Sequence, residues 1–546
     1  MSVPRIGIWL VGLGCLSLAP WSAAALEGEN PPIQGELYAS AAEPLHTGSI
    51  GPAASLGDAE GLLPAPNPGH VVEAAPPSSL IPAEPERTGS VDDVRLPELP
   101  VALAEIKSTD LISGALQARL ADPKLAMPPR LPRRDREALA TYYVAARFQA
   151  AWIAEGTWTN RAKEVIDRLK RADEDGLDPA DYPVPILGSG PDARADSAAD
   201  VAEAELKLSG AAALYARDAR GGRIDPARLS GLITPKLELP AAEAVLAHLA
   251  AAPDPGAALE SYNPAYPGYR ALKAKLAELR ANRPAQPLVA SPKAPAYSSR
   301  RIASLEGIVP PPRLEGDLVA NMERWRWLPA DVSRRYIFVN IPEFRLELIE
   351  DGRAVHETRV ITGKPVSPTP VFSGQMEFAV VNPSWYIPPS IMKKEILPGL
   401  AADPTYAEQR GYEVVRRGNQ ITVRQPPGER NALGFIKFMF PNQHAVYLHD
   451  TPNRNLFSAA QRAFSHGCVR VEQPFRLADF VLGHEWSEPR LRKLIGRGER
   501  TIRLPAKLPV HLAYFTMRVD AAGEIRIFDD LYGHNRRVRA ALGLGA

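Results

Sequence analysis

Ser465-His466-Gly467-Cys468-Val469-Arg470 places a thiol among a histidine, a glycine and an arginine. A second histidine, His449, lies 19 positions before Cys468 in the run Tyr447-Leu448-His449-Asp450. A free thiol is only a few per cent ionised near neutral pH, and the thiolate is the nucleophile. A histidine in hydrogen-bond contact can take the thiol proton during attack and return it to a leaving amine. Gly467 removes bulk beside the sulfur and lets backbone N–H groups approach a developing oxyanion. Arg470, planar and permanently charged, suits a substrate carboxylate. These residue types in this pattern point to nucleophilic catalysis by a Cys468–His449 pair.

The chain has two cysteines. Arg5 precedes an apolar run over 6–18, and Ala23-Ala24-Ala25 follows. That is the layout of a secretory signal peptide cut after Ala25. The run is shorter than the roughly 20 apolar residues a span needs. An uncleaved anchor and a lipid at Cys15 are the alternatives. Cleavage would remove Cys15 and leave Cys468 alone. Exported proteins mostly pair their cysteines, so an unpaired one points to catalysis, an inert buried thiol being the alternative. The formal net charge of +1 gives no broad attraction to nucleic acid.

The elements around the pair decide whether it can meet. As a strand, 445–450 puts Tyr447 and His449 on one face and Val446 and Leu448 on the other. A loop and a short helix between His449 and Cys468 can then bring a second strand, 468–471, alongside. Period-two alternation starts at Tyr336, with Ile337, Val339 and Ile341 on one face. Asp351-Gly352 reads as a hairpin turn. Further strands fit 345–348, 353–362, 376–383, 412–416, 420–425 and 510–528. Short helices fit 391–400, 456–463 and 474–482. Earlier in the chain Ala162, Val165, Ile166, Leu169 and Ala172 share one helical face, with Asn160 as N-cap and Gly176 as C-terminal glycine. More helices fit 200–219, 240–251 and 267–282, and another ends at Pro329. The 55 prolines cluster in 26–101 and 283–314, which read as a disordered tether and a linker.

The motif around Cys468, with His449 before it, resembles the signature of L,D-transpeptidases with a YkuD-type catalytic domain. Arg324-Trp325-Arg326-Trp327-Leu328-Pro329, Asn382-Pro383-Ser384-Trp385-Tyr386-Ile387-Pro388-Pro389, Asn431-Ala432-Leu433-Gly434 and Tyr447-Leu448-His449-Asp450-Thr451-Pro452 resemble the large Gram-negative subgroup typified by YcbB. Asp175-Gly176-Leu177-Asp178-Pro179 and Gly222-Arg223-Ile224-Asp225-Pro226 resemble its scaffold domain. The implied fold is α+β and multidomain. It comprises a signal peptide (1–25), the tether (26–101), a helical scaffold domain (102–282), the linker (283–314) and a mainly β catalytic domain (315–505) with a lid inside 386–445. A C-terminal β hairpin and tail (506–546) would pack on that core. Members of the subgroup often carry a peptidoglycan-binding module where the linker stands; here it is expected to be absent or reduced.

The resemblance implies that Cys468 is the nucleophile and His449 the general base and acid, oriented by the Asp450 backbone carbonyl. It implies an oxyanion hole at the Gly467 and Cys468 amides aided by Tyr447, supporting roles for Ser465 and His466, and substrate contacts from Arg470 and Trp385. The implied reaction attacks the amide after meso-diaminopimelate in a peptidoglycan tetrapeptide stem, expels D-alanine, and passes the acyl group to another stem's diaminopimelate amine as a 3-3 cross-link. It implies a periplasmic enzyme of cell-wall biogenesis and cell shape, acylated by carbapenems, with no metal or organic cofactor, no nucleic-acid partner, and membrane contact only through the signal peptide. Water as acceptor would make an L,D-carboxypeptidase; an outer-membrane protein amine would make an anchoring enzyme. Outside enzymes, the alternatives are a wall-binding scaffold protein and a structural metal site at His444, His449, His466 and Cys468.

Overall fold

The computed structural model describes residues 111–187, 197–282, 311–417 and 420–545. The expected signal peptide, the tether and most of the linker lie outside them. The first half is helical. Leu111–Ala121, Arg133–Ala145, Asn160–Lys170, Ala242–Ala251 and Pro255–Glu260 surround Ala198–Gly221, and Pro267–Ala281 packs on Pro311–Trp325. That central helix is buried on nearly every side and opens with a Ser197–Asp200 capping box. A small hairpin, β1 (Ile153–Ala154) with β2 (Thr157–Trp158), precedes Asn160–Lys170.

Ala162, Val165, Ile166 and Leu169 do face the core from Asn160–Lys170. Its N-cap is Thr159 rather than Asn160: Thr159 is extended and its hydroxyl accepts from the Ala162 amide at 3.1 Å. Gly176 ends the 3₁₀ turn Ala172–Asp175, not the α-helix, taking the left-handed conformation at φ +69°. The helix expected to end at Pro329 is Pro311–Trp325, and tighter turns carry the chain on through Leu328.

The second half is a sheet that closes on itself. Its strands are β3 (Arg335–Asn340), β4 (Arg345–Glu350), β5 (Arg353–Gly363), β6 (Phe372–Val381), then, beyond a separate three-stranded sheet of β7 (Trp385–Tyr386), β8 (Glu413–Arg417) and β9 (Gln420–Gln425), β10 (Ile436–Met439), β11 (Leu448–His449), β12 (Ala463–Ser465), β13 (Val469–Val471) and β14 (Arg500–Ala513). The order is β12-β5-β13-β11-β10-β6-β14-β3-β4, and β4 pairs back onto β5. Asp351 and Gly352 both have positive φ, as a tight hairpin turn requires. Ile337, Val339, Leu348, Val360, Phe438, Leu448, Val469 and Val510 fill the core.

Over 510–528 the structure has the end of β14 and then the expected C-terminal hairpin, β15 (Met517–Val519) with β16 (Ile525–Ile527), turning at Asp520–Gly523. β14 crosses position 505, where the sequence reading placed a domain boundary. Pro505 sits in its register irregularity between Arg503 and Leu508, where a missing N–H is tolerated.

The halves interlock. Val371 forms a parallel bridge to Ile233, and Arg326 reaches from beyond its helix to the Asp175 carbonyl at 2.5 Å and the Tyr269 hydroxyl at 3.0 Å. Trp325 stacks on Phe515 at 4.3 Å between ring centroids.

Candidate active site

Three adjacent strands build the site. β11 lies between β10 and β13, with His449 opposite Lys437 on one side and opposite Arg470 on the other. The strand is only two residues long because the chain before it is coiled. Ala445 has φ +52°, and the Asn442 side chain bonds the carbonyls of Phe440 and Val446 and the amides of His444 and Val446. Val446 and Leu448 join the core. Tyr447 and His449 face the other way, their rings 5.7 Å apart.

His449 is buried, and its Nδ1 donates to the Asp450 carbonyl oxygen at 2.5 Å. A carbonyl can only accept, so the proton sits on Nδ1 and Nε2 carries the lone pair. Burial, with Arg470 and Lys437 nearby, pushes the imidazole down to about 3. It is therefore neutral at physiological pH and able to accept a proton. The Asp450 carboxylate points elsewhere, accepting from the amides of Phe435 (2.9 Å) and Thr451 (2.7 Å) and from Arg454 (2.6 Å).

Cys468 is half-buried, with Sγ 4.0 Å from the Ala445 carbonyl oxygen. The amide and the hydroxyl of Tyr447 act on the sulfur in favour of the thiolate. Burial pushes the thiol up to about 11, opposed by those groups and by Arg470 and Lys437. Both the Cys468 thiol and the His449 imidazole are thus neutral at rest. Because the thiol lies above its ordinary value of about 8.5, its thiolate fraction keeps growing through pH 10. Alkylation of Cys468 by iodoacetamide, followed by intact mass, is expected to accelerate steadily from pH 8 to pH 10. A plateau reached below pH 8 would show a preformed thiolate–imidazolium pair instead.

The turn before Cys468 is clamped. Ser465 Oγ donates to the Cys468 carbonyl at 2.5 Å and accepts from the Gly467 amide at 3.1 Å. Thr369 Oγ1 donates to the Gly467 carbonyl at 2.8 Å. Gly467 has φ +119°, a conformation side-chain-bearing residues rarely adopt. Its amide is bonded to Ser465 Oγ in this structure. Gly467 shapes the turn, and the donors facing the sulfur come from Tyr447.

His466 does not join His449. Its Nε2 lies 2.8 Å from Glu395 Oε1 and 3.2 Å from Lys364 Nζ. Glu395 belongs to a π-helical turn, Met392–Ile396, inside the helical stretch that begins with Pro389–Ile391 and continues as Leu397–Ala402. Pro398 lacks the N–H that a regular helix would use there. The β7–β9 sheet and this stretch share a small core of Ile387, Ile396, Ala407, Tyr412 and Val423. Trp385, at the start of β7, acts on the Tyr447 hydroxyl. Trp385 and Glu395 thus link 385–402 to the residues around Cys468.

Lys437 was missed in the sequence, although Ile436-Lys437-Phe438-Met439 alternates in the way a strand should. His444, one of the candidate metal ligands, instead bonds Thr234 Oγ1 at 2.7 Å. Among the described residues no three His, Cys, Asp or Glu side chains gather as a metal site.

Residues 334–504 match the family described as the L,D-transpeptidase catalytic domain, YkuD, and residues 137–276 match a scaffold domain family. The chain therefore carries a YkuD-type L,D-transpeptidase catalytic domain behind a helical scaffold domain. A Haemophilus influenzae protein named "Putative L,D-transpeptidase" is 36% identical over 244 residues, 41% of this chain and 49% of that protein. The chain thus matches about half the length of that relative. Two solved structures are also similar. A cysteine-to-serine mutant of Enterococcus faecium L,D-transpeptidase has 15% identity and TM-score 0.16 over 33% of this chain and 50% of that one. The L,D-transpeptidase of Mycobacterium smegmatis has 13% identity and TM-score 0.17 over 33% and 58%.

Proposed function

We propose that this chain is a peptidoglycan L,D-transpeptidase that forms 3-3 cross-links through a Cys468 thioester. The observation that carries the reading is the fixed tautomer of His449, Nδ1–H on the Asp450 carbonyl, on the strand that pairs with β13 directly after Cys468. In the first step the Cys468 proton passes to His449 Nε2 while sulfur attacks the carbonyl after meso-diaminopimelate. The Tyr447 hydroxyl and the Cys468 amide stabilise the oxyanion. The C–N bond then breaks, and the imidazolium proton leaves with the D-alanine amine. In the second step the side-chain amine of another stem attacks the thioester, gives its proton to His449, and the thiol is restored. Arg470 and Trp385 contact the stem. The subgroup typified by YcbB and a periplasmic location go with this reading. Among the described residues no helix is long and apolar enough to cross a membrane.

The test gives purified protein tetrapeptide muropeptides and identifies products by mass. A 3-3 dimer with released D-alanine is expected. Tripeptide alone would make water the acceptor and the enzyme an L,D-carboxypeptidase. No product, with no acyl-enzyme, would overturn the reading in favour of a wall-binding protein.

The lid has its own expected result. The Glu395–His466 contact is largely solvent-facing, so it is worth on the order of 0.5 kcal/mol. Glu395→Gln should loosen the lid and speed iodoacetamide alkylation of Cys468 about two- to threefold at constant pH. An unchanged rate would show that the lid is held by its apolar contacts alone.

A further inference from the structure

Lys437 has no assigned role, yet it stands in the middle of the site. It is the cross-strand partner of His449 on β10, as Arg470 is on β13. Directly opposed residues on neighbouring strands share a sheet face. Lys437, His449 and Arg470 therefore form a row, with cations on both sides of the imidazole and Cys468 next to Arg470 in the chain. Lys437 Nζ lies 5.9 Å from the centroid of the Tyr447 ring, the ring whose hydroxyl acts on the Cys468 sulfur.

Neither cation has a carboxylate at ion-pair distance among the described residues. The acid nearest in electrostatic effect to Lys437, Glu499, is engaged by the Ser384 amide at 2.7 Å. Arg470 is buried, and its Nε has no hydrogen-bond partner. Some buried arginines elsewhere meet acids: Arg168 lies 3.1 Å from Asp175, and Arg539 lies 3.3 Å from Asp317. Two enclosed cations without an ion-paired carboxylate are unfavourable until something anionic enters. Lys437 is only partly buried, which leaves part of its surface accessible to a ligand.

We infer that Lys437 is a specificity-determining residue that binds a carboxylate of the acyl-donor peptide, on the side of His449 opposite Arg470. With one cation on each flank, the cleft selects a peptide bearing more than one carboxylate and rejects neutral or amidated stems. That the ligand is the acyl donor rests on the transpeptidase reading. The cationic site at the sulfur does not.

The first experiment is independent of any peptide. Iodoacetate and iodoacetamide deliver similar groups to Cys468 and differ in charge. The ratio of their alkylation rates at pH 8, read by intact mass, measures the positive potential at the sulfur. Lys437→Met is expected to lower the ratio of iodoacetate to iodoacetamide about tenfold, as loss of a unit charge a few ångströms away at intermediate dielectric implies. Lys437→Arg should hold it within about twofold, which separates charge from any general disturbance. A ratio unchanged in Lys437→Met, or lowered equally in Lys437→Arg, overturns the proposal. The second experiment compares a donor tetrapeptide with its carboxamide forms. Lys437→Met should raise KM for the free acid about tenfold, spare kcat, and leave at least one amidated form unaffected. Equal loss on acid and amide forms overturns the carboxylate assignment. If the wild-type protein uses no donor while the alkylation ratio behaves as expected, the transpeptidase reading fails and the anion site stands.

Discussion

Cys468→Ala is expected to abolish acyl transfer and leave the fold intact. Removing Sγ removes the only group in the site that can carry an acyl intermediate, and neither the imidazole nor the Tyr447 hydroxyl replaces a thiolate. The turn does not depend on the sulfur. Ser465 holds both the Gly467 amide and the Cys468 carbonyl, and Thr369 holds the Gly467 carbonyl. What the variant loses is a partner for the Tyr447 amide and hydroxyl, costing about 1 kcal/mol. Muropeptide analysis should show no 3-3 dimers, and intact mass should show no carbapenem adduct, while thermal unfolding shifts by only a few degrees. Undiminished cross-linking in this variant would remove Cys468 from the mechanism.

The proposed pair was legible because its signal is local. A thiol among His466, Gly467 and Arg470, and a histidine on a run whose alternate residues are apolar, can be read without tertiary information. The core strand β3 was legible for the same reason, since Ile337 and Val339 repeat at the strand period. What escaped depends on contacts between distant segments. β10 has only four residues, too short for alternation to stand out, and it brought Lys437 with it. β14 was cut by Pro505, which the sheet accommodates at an irregular register. The engagement of His466 by Glu395 joins two segments that no sequence period connects. The bond from the Gly467 amide to Ser465, two residues away, runs through a turn whose geometry sequence does not specify.

Replacing His449 and replacing Asp450 should give opposite kinds of failure. His449→Ala removes the proposed base for Cys468. With a thiol pushed up to about 11, little thiolate forms unaided at neutral pH, so acylation should fall by about 10³. The loss should shrink as pH rises, because hydroxide then does part of the work of the missing imidazole. Asp450→Asn leaves the carbonyl that orients His449 Nδ1 in place, because that carbonyl belongs to the backbone. It does disturb the carboxylate, whose two oxygens accept from Phe435, Thr451 and Arg454. An asparagine loses the Arg454 ion pair in either orientation and must present its NH₂ to one of those donors, at a cost of about 1–3 kcal/mol. The acylation rate per folded molecule should therefore stay within about threefold of the parent protein while the midpoint of thermal unfolding drops by several degrees. This division of labour distinguishes the site from a triad in which an aspartate side chain orients the histidine, where the same substitution would impose the wrong tautomer and cost about 10⁴ in rate. A loss of that size in Asp450→Asn, with stability unchanged, would show that the carboxylate and not the carbonyl sets the imidazole.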